Sequence, residues 1–386
     1  MDLRRGLARA AVSRASVLAV EVPGWASTRW AVERDVRRRG WRTARSPADA
    51  DVLVTCGAPG ARLTAALDLV WDQIPGPRSR ITAIDVAMVD RLMNQAAAEL
   101  LDDARQRNDV AGRPADGGTG TRAVGDEDAP DHRGTASDHA GAGHLDQADM
   151  GDMDMGDMDM GDMDMAPDGI PLASGGARDR DGLDLDVLHV PLGPVLPCWP
   201  AGLLLHCTMH GDVVAEAHPE LLDPAPDAAP MTFSDGTSAD RLDRAAHLLL
   251  LAGSEDSAAV AVQLRDELLD ATDPMRLAPA LDRLIRRVSR SRTLRWSLRG
   301  LGRTDADLRR AHGIGDGTDG DVYERLLGYL TAARMSLDGH PRPTSPAPVE
   351  LLAELVRGLE LFAARLVVAS LDLHTAAARP TGLALP

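Results

Sequence analysis

Apolar and polar positions follow two different rhythms along this chain, and the change between them divides it. From residue 16 to about 107, short β-branched runs are interleaved with stretches whose apolar residues recur every three or four positions, the pattern of a parallel α/β sheet. Residues 16–22 read as a first strand, 27–39 as a helix closed by Gly40, and 52–56 as a central strand entering the turn Gly57-Ala58-Pro59-Gly60. A helix over 61–74 stops at Pro75-Gly76-Pro77, a further strand covers 81–84, and one long helix, 88–107, closes this half.

The second half opens with strand periodicity at 183–190, 202–210 and 213–217 around a Gly211-Asp212 turn, which predicts a small antiparallel meander. Helical spacing then dominates, at 241–251, 256–269, 279–297, 322–335 and 349–371. Between the halves, residues 108–182 are Gly, Asp, Ala and His with few aliphatic positions, too little apolar surface to bury. The expectation is therefore an α/β N-terminal domain (1–107) with a parallel sheet, a disordered acidic linker (108–182), and an α+β C-terminal domain (183–386) of a small antiparallel sheet and a helical bundle. A chain of 386 residues has room for two such domains.

Composition removes several kinds of chemistry. All 42 basic residues are arginines, so the lysine amine of a Walker A loop or of a pyridoxal Schiff base is missing. Aromatics make up only 3% of the chain, which leaves few platforms for stacking bases or flat cofactors. Of the net charge of −17, the stretch 126–165 carries −12 (13 acids, one arginine), so the remainder holds −17 + 12 = −5 and argues against a nucleic-acid partner. Cys56, Cys198 and Cys207 are widely spaced and form no CxxC pair, which points away from a disulfide framework or zinc knuckle and toward a reducing, cytoplasmic setting. The apolar stretch 15–20 is short and runs into Glu21, a poor signal peptide, and no apolar run reaches membrane-span length. Membrane association is expected to be indirect.

The run Asp51-Val-Leu-Val-Thr-Cys-Gly-Ala-Pro-Gly, followed by Leu67-Asp-Leu-Val-Trp-Asp-Gln-Ile-Pro-Gly-Pro-Arg78, resembles the small 20 kDa-type, cluster-bearing subunit of complex I (NADH:quinone oxidoreductase) and of [NiFe]-hydrogenases. The segment Gly193-Pro194-Val195-Leu196-Pro197-Cys198-Trp199-Pro200-Ala201-Gly202 is similar to the Gly-Pro-Gln-His-Pro-x-x-His-Gly segment of the 49 kDa-type and hydrogenase large subunits. Weaker echoes lie at Gly300-Leu301-Gly302 and at Val367-Val368-Ala369-Ser370-Leu371-Asp372. The resemblance implies a fusion of the two subunits from which the ligands are gone. The loop Val22–Ser27 holds no cysteine, and Val86 stands at a cluster-ligand position. Leu196 and Pro200 replace the two histidines, the second of them the quinone-headgroup donor, and His374 and Ala377 fall where the nickel-binding cysteines would follow. No Fe–S cluster and no NiFe centre is expected, since each needs a set of thiolates.

What the resemblance then implies is a non-catalytic structural or coupling subunit, cytoplasmic and peripheral on the inner membrane face, held by membrane-embedded complex I-like or antiporter-like subunits of an ion-translocating assembly. A reading of a different class rests on the thrice-repeated Gly-Asp-Met-Asp-Met. Met150, Met153, Met155, Met158, Met160, Met163 and Met165, with His132, His139 and His144 upstream, offer thioethers suited to Cu(I) and imidazoles suited to copper or nickel. The same repeat also reads as a slippage-expanded acidic spacer. An enzyme with a new site ranks third, for no Gly-x-Ser-x-Gly elbow is present and the scattered histidines, His206, His210, His218 and His247, read as ordinary core or surface groups.

Overall fold

The computed structural model of the protein describes residues 2–113, 177–178, 184–185, 187–224, 237–270, 273–312, 319–340 and 346–373. A helix that the apolar pattern did not flag, α1 (Asp2–Val12), precedes β1 (Ser16–Glu21). There follow α2 (Ala26–Arg38), β2 (Arg42–Thr43), β3 (Val52–Cys56), α3 (Ala61–Gln73) and β4 (Ser79–Ala83). The four strands form one parallel sheet in the order β2-β1-β3-β4, with Val17 opposite Val52 and Val52 opposite Ser79. All five residues of β3 are buried, as a central parallel strand covered on both faces requires.

The long helix expected over 88–107 is two helices, α4 (Val89–Leu100) and α5 (Asp103–Gly112). Asp102 divides them: its Oδ1 accepts from the backbone of Ala104 at 3.0 Å and Arg105 at 3.1 Å, starting a new helix. Side chains of β1, β3 and β4 alternate between two cores. Val17, Val52, Val54 and Ile81 share one cluster with residues of α2 and α4, and Leu18, Val20 and Leu53 another with Leu63 and Leu67 of α3. The Trp71–Arg78 run is a structural knot. The Arg78 guanidinium lies 4.0 Å from the Trp71 ring centre, donates to the Ile74 carbonyl at 3.3 Å and pairs with Asp109 at 2.9 Å.

In the second half a two-residue ribbon, β5 (Ala177–Arg178) with β6 (Asp184–Leu185), leads to the meander β7 (Val187–Leu192), β8 (Leu203–His210) and β9 (Val213–Leu221). The helices are α6 (Ser238–Leu251), α7 (Glu255–Leu269), α8 (Pro274–Arg290), α9 (Arg292–Leu298), α10 (Ala306–His312), α11 (Val322–Leu337), α12 (Leu351–Leu355) and α13 (Leu361–Ser370). Two expected helices are broken. The one over 279–297 starts earlier, capped by Asp273, and is interrupted at Ser291, whose Oγ accepts from Leu294 N at 3.2 Å. The one over 349–371 is split at Gly358, which has φ +76° and donates its N–H to the Val214 carbonyl of β9 at 2.7 Å.

Residues 1–113 and 175–386 make up one compact unit. Its two halves are joined where the β8–β9 hairpin ends: Asp223 Oδ2 accepts from Leu63 N at 2.8 Å, capping α3 from across the seam. Gly60 permits this approach, since a Cβ there would stand 2.3 Å from Asp223 Cγ. Arg62 and Glu220 add an ion pair at 2.6 Å. Among the described residues, no helix is long and apolar enough to cross a membrane.

Candidate functional site

The seam is also where charge is concentrated. β1 delivers Glu21 at its carboxyl end and the next helix, α2, carries Arg29 and Glu33 one turn apart, while α6 and α7 of the other half present Asp243 and Arg265. Arg29 Nε meets Glu21 at 2.5 Å, its Nη1 meets Glu33 at 2.6 Å and its Nη2 meets Asp243 at 2.6 Å. Arg265 Nη1 bonds both Asp243, at 2.5 Å, and Glu33, at 2.8 Å, and its Nη2 reaches Asp266 at 2.9 Å. Arg37 of α2 also pairs with Asp266, and Arg34 with Asp270 at 2.6 Å. The network therefore crosses between the halves at several points.

Burial decides its electrostatics. Arg265 is fully buried, and the Arg29 and Asp243 side chains are only 9% and 6% exposed. Removal from water works against the charge on every member. For Asp243 the two guanidinium groups and His247 outweigh burial and hold the carboxyl well below its usual range. For Glu33 the balance is similar, and Arg29 and Arg265 bring it down to about 2. For Glu21 burial wins over Arg29, and its pKa is raised. His247, one turn beyond Asp243, is pushed down by burial although Asp243 pulls the other way. Two guanidinium groups thus face four carboxylates, Glu21, Glu33, Asp243 and Asp266, and among them Glu21 is raised by burial.

Around this network lies a cleft of 1210 Å³ between the end of the parallel sheet and helices α6 and α7. Part of its wall is the loop 194–201, including Leu196 and Cys198. Gly193 lets that loop form: it has φ +97°, and a Cβ there would stand 2.3 Å from the Leu203 carbonyl oxygen. Trp199 pins the loop by donating Nε1–H to the same carbonyl at 2.8 Å. Burial pushes the Cys198 thiol up to about 12, so it stays protonated near neutrality and is neither a ready nucleophile nor a ready ligand.

The positions that the family resemblance marked are distributed as follows. Val86 lies in a short 3₁₀ turn after β4 and is 43% exposed. Cys56 is buried at the end of β3, its Sγ turned to the Val54 carbonyl at 3.9 Å and its pKa raised by burial. One buried thiol and a valine do not fit a [4Fe-4S] cluster, which needs four ligands. Leu196 faces the cleft without a hydrogen-bonding group, and Pro200 is not among the residues lining it. The two weak echoes meet: Arg325 of α11 donates to the Gly302 carbonyl at 2.9 Å and to Ser370 Oγ at 2.9 Å. The methionines Met150 to Met165, the histidines His132, His139 and His144, and His374 and Ala377 lie outside the described residues. Among the described residues, no group of three or more His, Cys, Asp or Glu side chains is placed to hold a metal ion.

The buried charges of the seam carry no distinctive sequence signature. Arg29, Asp243 and Arg265 look like ordinary members of helical charge patterns, and His247 reads as an unexceptional histidine. One signal was available: each sits on the face of its helix that carries apolar residues, where a charge implies a partner. Comparison of the chain with protein-family models and with curated proteins finds no match in either.

Proposed function

We propose that this chain is a non-catalytic structural or coupling subunit of a membrane-associated, complex I-like assembly, a fused and ligand-free counterpart of the cluster-bearing and quinone-site subunits. One observation carries the reading. The loop that would hold cluster cysteines and the segment that would hold the quinone histidines abut: a Cβ on Gly202 would be 2.7 Å from Cγ of Pro23. The two resembling regions thus share one interface, as their relatives dock on one another, yet the loop 22–27 holds no cysteine and the residues at the marked positions are Val86, Leu196, Pro200, His374 and Ala377. In place of a redox centre the seam holds the Arg29–Asp243–Arg265–Glu33 network, which ties the movement of one half to the other.

The test is purification of the tagged full chain from gently solubilised membranes of its own host. Stoichiometric recovery of multi-span, antiporter-like subunits is expected. A native pool found entirely in the soluble fraction, with no membrane protein attached, would remove the basis of this reading.

A further inference from the structure

We infer that helices α8 and α9 form a docking face for an anionic lipid bilayer. Between residues 274 and 304 the chain holds nine arginines and a single acid, Asp282, which is engaged by Arg334 of α11 at 3.0 Å. All nine arginines are exposed, and none has a carboxylate partner among the described residues. On α8 the placement is regular. At roughly 100° per residue, Arg276, Arg283, Arg286, Arg287 and Arg290 fall within an arc of about 100°, opposite the face of Leu277, Leu281, Leu284 and Val288 that enters the core.

Exposed apolar groups lie at both ends of this segment. Trp296 on α9 is 86% exposed, the most exposed large apolar side chain described, and Met275 at the start of α8 is 64% exposed. Leu294 and Leu298 anchor α9 to the core, and on the helical projection Trp296 falls on the opposite side, about 40° from Arg292. Uncompensated cations repel one another, and an oppositely charged surface relieves that repulsion. An indole outside the core costs solvation unless its ring enters an apolar layer while its N–H stays at the polar boundary, the position tryptophan takes at the lipid headgroup level. Arginines along one exposed helical stripe, with an indole at the end, match a bilayer surface. A nucleic-acid strand fits less well, since tracking one calls for a groove and several aromatics to stack successive bases. This face lies apart from the cleft and stands without the coupling-subunit reading.

The experiment uses the purified full chain and sedimentation with two vesicle preparations, phosphatidylcholine alone and an equimolar mixture with phosphatidylglycerol. Binding only to the anionic vesicles, weakened by salt, is expected. Replacing Arg286, Arg287 and Arg290 together by glutamine should reduce the partition coefficient on the order of a hundredfold, with circular dichroism and melting unchanged. Trp296 emission should shift to the blue on binding, and the Trp296→Phe variant should bind while losing that shift. Equal binding to neutral vesicles, absence of binding to anionic ones, or full retention by the triple variant would each overturn the inference. So would tighter binding to a duplex oligonucleotide than to the anionic vesicles at equal salt, which would make this a nucleic-acid face.

Discussion

Arg29 on α2 and Asp243 on α6, 214 residues apart in the chain, face each other as a two-pronged pair, Nη2 to Oδ2 at 2.6 Å and Nη1 to Oδ1 at 3.4 Å. Neither is alone: Arg29 holds two further carboxylates and Asp243 a second guanidinium. The pair is the centre of a shared network, so removing one member leaves more than one charge without its partner.

The Asp243→Asn variant should lose stability by about 3–5 kcal/mol, because Arg29 and Arg265 would remain buried with too little opposing charge. Denaturant unfolding measures this. The Arg29→Lys variant should not restore full stability, since a point ammonium cannot serve three carboxylates in the fork geometry. A loss below about 1 kcal/mol in Asp243→Asn would show that the seam is held chiefly by apolar contact.

Acid should act in two stages. His247, packed against Asp243 with Arg29, Glu33 and Arg265 nearby, has a folded pKa below its unfolded 6.5. The unfolded chain then binds the extra proton, and this contribution to stability is present above pH 6.5 and lost as pH falls from there toward the lower folded value. Glu33 and Asp243 are depressed from 4.5 and 3.8, so their contribution is intact above those values and disappears toward about 2, the Glu33 value. Glu21 is raised, has the opposite sign, and favours the fold below 4.5. Melting temperature measured against pH should show the first stage disappear in His247→Gln while the second persists.

Gly193→Ala places a methyl group against the Leu203 carbonyl in a left-handed conformation. A loss of about 1–3 kcal/mol is expected, together with displacement of the cleft wall. Trp199, whose N–H bonds the same carbonyl, should report the shift through its fluorescence. The same substitution at Gly211, where a Cβ meets nothing within 4 Å, strains only the backbone and should cost less.

Protein produced anaerobically with excess iron should be colourless and give no cluster signal in electron paramagnetic resonance, because Val86 and the Val22–Ser27 loop bring no thiolate. Stoichiometric iron and sulfide would contradict this, and with it the ligand-free half of the proposed function.

The Met-rich repeat is open to test on a peptide spanning residues 132–165. A Cu(I) site should compete with a chromogenic chelator for at most about two ions, at three or four thioethers each. Methionine-to-leucine replacement should abolish this, whereas aspartate-to-asparagine replacement should only weaken it. Equal capture by the leucine variant would make the repeat a spacer.

The three longer strands of the first half and the helices α2 and α3 between them were legible from the order of residues alone, because a covered parallel sheet demands apolar runs such as Val52–Cys56 with amphipathic helices between, whereas α1 and the two-residue β2 were not. The three-stranded meander was legible for a similar reason, its burial alternating along β8. The helix breaks at Asp102 and Ser291 were less visible, since a capping side chain competes with helix continuation only by local hydrogen bonds. Gly358 breaks its helix by bonding to β9, a partner far away in sequence.

What the sequence by itself determined is therefore the class of each half, a property of residue type and spacing. Only the tertiary structure decided that Arg29, Asp243 and Arg265 form one buried network, and that the near-balanced charge of the folded part hides an arginine face on α8 and α9 with no carboxylate partner among the described residues. Net charge sums over the chain, whereas electrostatic energy depends on distance and burial, and both are set by which helices come together.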